Sequence, residues 1–213
     1  MNILRTDRTP LEVENGVRQF NLVIEVIRYY LQPERPFALR IPIILELQRA
    51  AVNGIEAQAG KIRTGSVGIT ESKHEPPAPH LVQNLLIEFC DYLNDNWHEK
   101  NAFFLSAYAM WRINWIHPFT DGNGRTARAL SYVLLCLKLG YELPGSPTIP
   151  QQIEEDKSRY LHALEMSDEA YREGKIELTE MEQMIRGMLA RQLLGVIEAA
   201  EGDALSGSEG GLP

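Results

Sequence analysis

Apolar residues recur three or four positions apart along most of the chain, the spacing that places them on one face of an α-helix. The first such run begins at Thr9-Pro10-Leu11-Glu12, where a capping Thr, a Pro at the first helical position and a Glu three residues after the cap all mark a helix start. It ends at Gln32-Pro33. Further helices are predicted over residues 42–51, 81–93, 101–116, 152–166 and 177–200.

One more predicted helix follows the loop at residues 118–121 and runs to Lys138, with Gly140 as its C-terminal stop. Unlike the others, it is apolar on almost every side. A helix with that pattern belongs in the middle of a bundle, because no face of it suits water. The sequence therefore predicts that this helix lies at the centre of the fold.

Residues 60–69 depart from the helical spacing. Gly60, Gly65 and Gly68 have β-branched residues between them, a pattern typical of a short β-hairpin or flap. We therefore predict an all-α helical bundle with one small β-hairpin flap. The predicted organisation is a single domain over residues 1–200 and, because the last residues are acidic and small, a disordered tail over residues 201–213.

The net charge and the hydropathy of the chain argue against two kinds of binding partner, nucleic acids and membranes. The 213 residues include 21 Lys or Arg and 29 Asp or Glu, a net charge of −8, which argues against a surface for nucleic acid or anionic lipid. The N-terminus has no long apolar segment, and no apolar run approaches the ~20 residues of a membrane-spanning helix. We therefore expect a cytoplasmic protein without nucleic-acid or membrane partners.

The residues suited to chemistry are concentrated at positions 117–128, between two apolar helices. Glycines on either side of Asn123, in Gly122-Asn123-Gly124, let backbone N–H groups point outward where the next helix begins, which makes an anion-binding site. Arg125 and Arg128 lie on one face of its first turn. Cations at a helix N-terminus are disfavoured by about 0.3–1 kcal/mol each. The pair therefore predicts a bound polyanion.

Two further residues of this loop complete a reactive set. Asp121 places a carboxylate beside the predicted phosphate site, an arrangement that commonly holds Mg²⁺. His117 supplies a group that accepts a proton near neutral pH. Each signal alone is as common in ordinary turns and surface ion pairs. Together in one loop, they indicate transfer of a phosphoryl or nucleotidyl group.

The same loop resembles the signature of the Fic family, His-x-Phe-x-Asp/Glu-Gly-Asn-Gly-Arg-x-x-Arg, at every specified position of residues 117–128. The resemblance covers roughly residues 10–170. Residues 60–64 and 67–70 are similar to the flap that positions the target, and residues 158–161 are similar to the segment bordering the nucleotide base. The resemblance implies an all-α Fic domain that transfers AMP from ATP to a Ser, Thr or Tyr hydroxyl of a target protein.

The resemblance also implies a role for each signature residue. His117 would accept the proton of the target hydroxyl, and Asp121 would hold Mg²⁺ on the α- and β-phosphates. Arg125 would neutralise the outer phosphates, and Arg128 would bind the γ-phosphate. The remaining nucleotide contacts are implied for Gly122, Asn123 and Gly124 at the α- and β-phosphates and for Tyr160 beside the base.

Two positions bear on the reaction and on the target. Gly124 stands where the kinase-like Doc branch of the family carries Lys, which favours AMP transfer over phosphate transfer. The flap is implied to bind the target by backbone pairing, a mode that gives little side-chain specificity. Its residues for that contact are Val67, Gly68, Ile69 and Thr70.

Many Fic proteins also carry an inhibitory helix, Ser/Thr-x-x-x-Glu-Gly/Asn, whose Glu pairs with the second signature Arg. Glu14-Asn15 matches the end of that motif, but Thr9 lies five residues upstream rather than four, and Pro10 takes the place of the hydroxyl residue. Either Glu14 reaches Arg128 and restrains the enzyme, or Thr9 only caps the first helix and Glu14 is solvated.

The leading hypothesis is thus a protein adenylyltransferase that uses ATP and Mg²⁺ and acts on a target protein. Alternatives in the same class are removal of AMP from a modified protein and use of another donor, such as UTP or a phosphocholine donor. An alternative from another class is a nucleotide-binding regulatory or toxin-type module with little turnover. The target, homo-oligomerisation and self-modification stay open.

Overall fold

The computed structural model describes residues 9–69 and 72–207, the last ten of these by their backbone alone. Its regular structure is helical, and among the described residues there is no β-strand. None of the described helices is long and apolar enough to cross a membrane. The helices are α1 Pro10–Tyr30, α2 Ile41–Val52, α3 Val82–Asp95, α4 Ala102–Ile116, α5 Asn123–Leu139, α6 Ile149–Glu155, α7 Ser158–Arg172 and α8 Thr179–Gly207, with a 3-10 turn at Pro79–Leu81.

The start of α1 confirms the capping signals in the sequence. The Thr9 side chain accepts a hydrogen bond from the backbone N–H of Glu12, and the Glu12 carboxylate accepts one from the backbone N–H of Thr9 at 2.9 Å. This reciprocal pair satisfies two N–H groups that a helix start otherwise leaves unbonded. Helix α1 then buries Val23 and Ile27 against the rest of the bundle.

Helices α4 and α5 form the centre of the bundle and pack along each other. Helix α5 is buried on nearly every side, as its all-apolar pattern predicted. Helices α1 and α2 pack on α5, whereas α3, α7 and α8 pack on α4. The loop between α4 and α5 is therefore held at both ends by elements that cannot shift without disturbing the core.

The predicted β-hairpin at residues 60–69 is wrong for the described part of this segment, which has an extended, irregular backbone. A hairpin needs a second strand to accept its ladder of hydrogen bonds. Here the backbone N–H of Arg63 instead donates to the carbonyl oxygen of Pro118 at 2.9 Å, so the segment is fastened to the loop between α4 and α5. Thr70, the last predicted target-binding residue, lies outside the described residues.

Two predicted helix boundaries also differ. The helix expected over residues 152–166 is divided into α6 and α7 by Asp156, whose backbone is extended and whose carboxylate accepts hydrogen bonds from the N–H and hydroxyl of Ser158 at 2.9 and 2.6 Å. Helix α8 continues to Gly207, beyond residue 200, where the acidic tail was expected to begin. Residues 208–213 of that predicted tail lie outside the described residues.

The central position of α5 predicts a large cost for truncating its side chains. Leu130 is fully buried, so Leu130→Ala should lower the free energy of unfolding by about 2–5 kcal/mol. Leu194 on α8 is 55% exposed, so Leu194→Ala should change it by less than about 0.5 kcal/mol. Urea denaturation of both variants measures the difference. Equal, small losses would contradict the central placement of α5.

Candidate active site

The loop between α4 and α5 is shaped by one glycine and one buried asparagine. Gly122 has a φ of 82° and forms the N-cap of α5, and a Cβ at this position would lie 2.8 Å from Cγ1 of Val52. Only glycine fits there without strain. The Asn123 amide closes the loop, since it accepts from the N–H of Phe119 and donates to the carbonyl of Phe119, both at 2.9 Å.

These bonds define how Asn123 can contribute to an anion site. Its side chain is buried and bonded to Phe119, so a phosphate could be contacted only by its backbone. Helix geometry leaves the N–H groups of the first turn of α5 without intrahelical acceptors. Among the described residues, no side chain caps that turn. The N–H of Gly122 donates to Oδ1 of Asp121, so of the three predicted donors those of Asn123 and Gly124 are left for an anion.

His117 follows the last residue of α4 in a left-handed conformation, with φ 50° and ψ 58°. Its Nδ1 lies 3.2 Å from the carbonyl oxygen of Asn114. Because a carbonyl only accepts, Nδ1 carries the proton in this bond, and the neutral ring has its lone pair on Nε2. Burial lowers the pKa of His117 from 6.5 to about 4, with the nearby Arg63 cation acting in the same direction. The imidazole is therefore neutral at pH 7.

Asp121 and Arg125 are paired with each other. Nη2 of Arg125 donates to Oδ2 of Asp121 at 2.8 Å, and the N–H of Gly122 donates to Oδ1 at 2.6 Å. Nη1 of Arg125 donates to the carbonyl of Ala51 at 3.1 Å. These contacts hold a half-exposed carboxylate and a guanidinium beside the start of α5.

This donor set fits a shared magnesium site. Mg²⁺ in nucleotide enzymes is held by one or two carboxylates, with phosphate and water oxygens completing its coordination. Asp121 supplies one such carboxylate next to the predicted phosphate position. The described residues contain no group of three or more His, Cys, Asp or Glu that would enclose a metal by themselves.

Arg128, Tyr160 and Gly124 meet behind the first turn of α5. A Cβ at Gly124 would lie 3.4 Å from Nη1 of Arg128 and 3.9 Å from the Tyr160 hydroxyl oxygen. That hydroxyl accepts a hydrogen bond from Nδ2 of Asn114 at 2.7 Å. Tyr160 is buried, and burial raises its pKa. The structure thus brings Tyr160 to the signature residues, with its ring inside the core.

The carboxylate on Arg128 belongs to Glu154, not to Glu14. Arg128 is 8% exposed, and its Nη2 donates to Oε2 of Glu154 on α6 at 2.5 Å. Glu14 instead pairs with Arg18, one turn further along α1, at 2.7 Å. Of the two alternatives for Glu14, the structure shows the second: Thr9 caps α1, and Glu14 is exposed and paired with Arg18.

The segment that precedes the predicted target-binding residues is attached to the loop through two buried side chains. Gln48 of α2 accepts from the N–H of Gly60 at 2.5 Å and donates to the carbonyl of Asp121 at 3.0 Å. The Arg63 guanidinium donates to the carbonyl of His117 at 2.7 Å. Val67, Gly68 and Ile69 lie a few residues beyond these anchors, without a strand partner among the described residues.

Sequence reasoning missed four residues of this site: Gln48, Arg63, Asn114 and Glu154. For Arg63 and Asn114 the sequence offered one clue, which was their proximity to predicted site residues. Arg63 lies in the glycine-rich segment, and Asn114 lies three residues before His117. Gln48 and Glu154 come from distant parts of the chain, and nothing in their local sequence distinguishes them from ordinary helical polar residues.

Comparisons of the sequence and of the fold with known proteins point to one protein family. A family model for the Fic/DOC family matches residues 38–135. In solved structures, a Fic-domain-containing signalling protein from Bacteroides thetaiotaomicron has a TM-score of 0.71 and 22% identity, covering 92% of this chain and 76% of that one. Residues 134–508 of Fic-1 from Caenorhabditis elegans give a TM-score of 0.68 and 22% identity, covering 94% of this chain and 57% of that one. Residues 38–135 of this chain are therefore a Fic domain.

Curated relatives carry a more specific name. A protein adenylyltransferase Fic from Drosophila willistoni is 29% identical over 168 residues, which are 78% of this chain and 32% of the relative. Protein adenylyltransferase fic-1 from Caenorhabditis briggsae is 30% identical over 158 residues, which are 72% of this chain and 30% of the relative. The chain spans about a third of the length of the relatives it matches.

The lowered pKa of His117 gives a test in solution. In an NMR titration, its ring signal should have a midpoint near pH 4 in the folded protein and near 6.5 in urea; His117→Gln identifies the signal by removing it. Between those two values the unfolded chain binds more protons at this residue. The free energy of unfolding should therefore fall with decreasing pH more steeply in wild type than in His117→Gln. A folded-state midpoint near 6.5 would contradict the burial argument.

Proposed function

We propose that this chain is a protein adenylyltransferase that transfers AMP from ATP, with Mg²⁺, to a Ser, Thr or Tyr hydroxyl of a target protein. The observation that carries the proposal is the arrangement of residues 117–128. There, a neutral imidazole precedes a helix N-terminus that is flanked by one half-exposed carboxylate and two arginines. The Fic domain and relatives named protein adenylyltransferase support AMP as the transferred group.

In the proposed reaction the oxygen of the target hydroxyl attacks the α-phosphorus of ATP. The bond between that phosphorus and the bridging oxygen breaks, and pyrophosphate leaves with the bonding electrons. Nε2 of His117 accepts the hydroxyl proton, because its lone pair is available at neutral pH and has no hydrogen-bond partner among the described residues. The added AMP is then joined to the target through a phosphodiester.

Charge on the phosphates would be offset by groups that the fold already holds in place. The first-turn N–H groups of α5 would contact the α- and β-phosphates, and Arg125 and Arg128 the outer phosphates. When bound, Mg²⁺ supplies further positive charge there, and Asp121 is the residue that would hold it. Because Asp121 and Arg125 are paired in this structure, nucleotide binding would exchange one ion pair for contacts with phosphate.

The target would be aligned beside His117 by the extended segment that contains Val67, Gly68 and Ile69. This segment has no strand partner among the described residues. The backbone of Val67 and Gly68 would pair with an extended target peptide, whereas the Ile69 carbonyl accepts a hydrogen bond from the N–H of Ser72 at 3.3 Å. Its attachment to the carbonyls of His117 and Pro118 through Arg63 supports this placement.

Labelling with α-labelled ATP and Mg²⁺ tests the proposal, scored on the chain itself and on proteins of a cell extract. His117→Ala should lower AMP transfer by about 10²–10⁴-fold, the range for loss of a general base, and should leave ATP binding intact. His98→Ala, which removes an exposed histidine outside the loop, is the matched control and should transfer AMP normally. Equal labelling by wild type and His117→Ala would contradict the assigned base.

A second set of variants asks which carboxylate restrains Arg128. We expect Glu154→Gln to bind ATP severalfold more tightly and to transfer AMP faster, because its carboxylate occupies the guanidinium proposed for the γ-phosphate. Glu14→Gly should change little, since Glu14 pairs with Arg18. Glu155→Gln controls for loss of charge from α6, because Glu155 pairs with Arg191 instead. If Glu14→Gly raised the transfer rate and Glu154→Gln did not, the inhibitory carboxylate would be Glu14, as the sequence motif implied, and the prediction for Glu154 would be wrong.

A further inference from the structure

Arg63 is a buried cation next to the loop. It is 3% exposed, and burial lowers the pKa of its guanidinium. Buried arginines are normally paired with a carboxylate, because an isolated charge is costly to remove from water. None of the described carboxylates lies within ion-pair distance of Arg63. The charge must therefore be compensated in another way.

The compensation comes from backbone carbonyls. Nε of Arg63 donates to the carbonyl of His117 at 2.7 Å, and Nη2 donates to the carbonyls of Pro77 at 2.6 Å and Ile116 at 3.5 Å. Nη1 donates to the carbonyl of Gly65 at 3.0 Å. Two of these oxygens are at the C-terminal end of α4, where helix carbonyls lack intrahelical partners and carry the negative end of the helix dipole.

One of those carbonyls belongs to a residue under backbone strain. His117 is the only non-glycine residue with positive φ among the described residues. A side chain in this left-handed region costs of order 1 kcal/mol or more and persists only where its surroundings hold it. The Arg63 bond to the His117 carbonyl supports this conformation together with the bond from the N–H of His117 to the carbonyl of Ile113 at 2.9 Å.

The other two carbonyls belong to the segment proposed to bind the target. Gly65 precedes the target-contacting residues, and Pro77 lies after them, so the guanidinium ties both ends of that segment together. The same side chain thus contacts the backbone that carries the base and the backbone on either side of the target-binding residues.

We propose that Arg63 is a positioning residue of the transfer reaction, whose guanidinium fixes the distance between the His117 imidazole and the target hydroxyl by bonding both backbones. The inference rests on the proposed function. Arg63 contacts neither the reacting atoms nor the start of α5, so its effect falls on the transfer step and not on nucleotide binding.

Substituting Arg63 by Lys and by Met separates geometry from charge. Lys keeps the positive charge but cannot reproduce a planar fork that reaches four carbonyls, and Met removes both. If geometry matters, both variants should lower the single-turnover transfer rate at saturating ATP by about 10- to 100-fold, the scale expected for a misplaced catalytic group. The Kd for ATP should stay within about twofold.

The NMR titration of His117 provides a readout that does not require transfer activity. In both variants the ring should become more mobile and more hydrated, so its midpoint should move from about 4 toward 6.5. Arg112→Gln is the matched control, because Arg112 is also buried but stacks on the rings of Trp115 and Tyr171 and does not bond the carbonyls that Arg63 contacts. It should lower thermal stability without changing the transfer rate or the His117 midpoint.

Three results would overturn the proposal. The first is a folded Arg63→Lys variant with the transfer rate and the His117 midpoint of wild type. The second is an Arg63→Met variant that is defective while Arg63→Lys has normal activity. The third is a loss of ATP affinity as large as the loss of transfer rate. Failure of the proposed function gives a different pattern: wild type itself would not transfer AMP. The His117 midpoint would still show whether Arg63 holds the imidazole.

Discussion

The two hydrogen bonds between the Asn123 side chain and the backbone of Phe119 close the loop between the central helices, and the site depends on that closure. They turn the chain back within four residues and set the first turn of α5 beside the end of α4. Leaving a buried backbone donor or acceptor unbonded costs about 1–3 kcal/mol. Because Phe119 is fully buried, breaking these bonds would leave its backbone groups without water as a replacement partner.

Within this frame, the charged groups of the site neutralise one another. Asp121 is paired with Arg125, and Arg128 with Glu154, so each group that would meet a nucleotide already has a partner of opposite charge. A ligand must therefore exchange ion pairs instead of adding new ones. Such an exchange favours a polyanion that brings its own cation, because only that combination satisfies both the freed carboxylates and the arginines.

Sequence reasoning succeeded where the physical cause is local. The Thr9 capping box and the all-apolar pattern of α5 involve residues within a few turns of one another, and both features are present in the structure. The hairpin at residues 60–69 failed because its glycines describe a flexible segment without specifying a partner strand. The sequence left open whether Glu14 reaches Arg128, because an ion pair is decided by which charges tertiary packing brings close, and here α6 places Glu154 there.

The bonds that complete the site join residues far apart in the chain. Gln48 and Asp121 are separated by 73 residues, Arg63 and His117 by 54, and Ala51 and Arg125 by 74. Helices form from local contacts, whereas contacts of such high sequence separation require closure of long loops. During refolding, helical circular dichroism would thus recover before these bonds form. Return of the proposed AMP-transfer activity would mark the last stage of folding, when the segment around residues 48–63 docks on the two central helices.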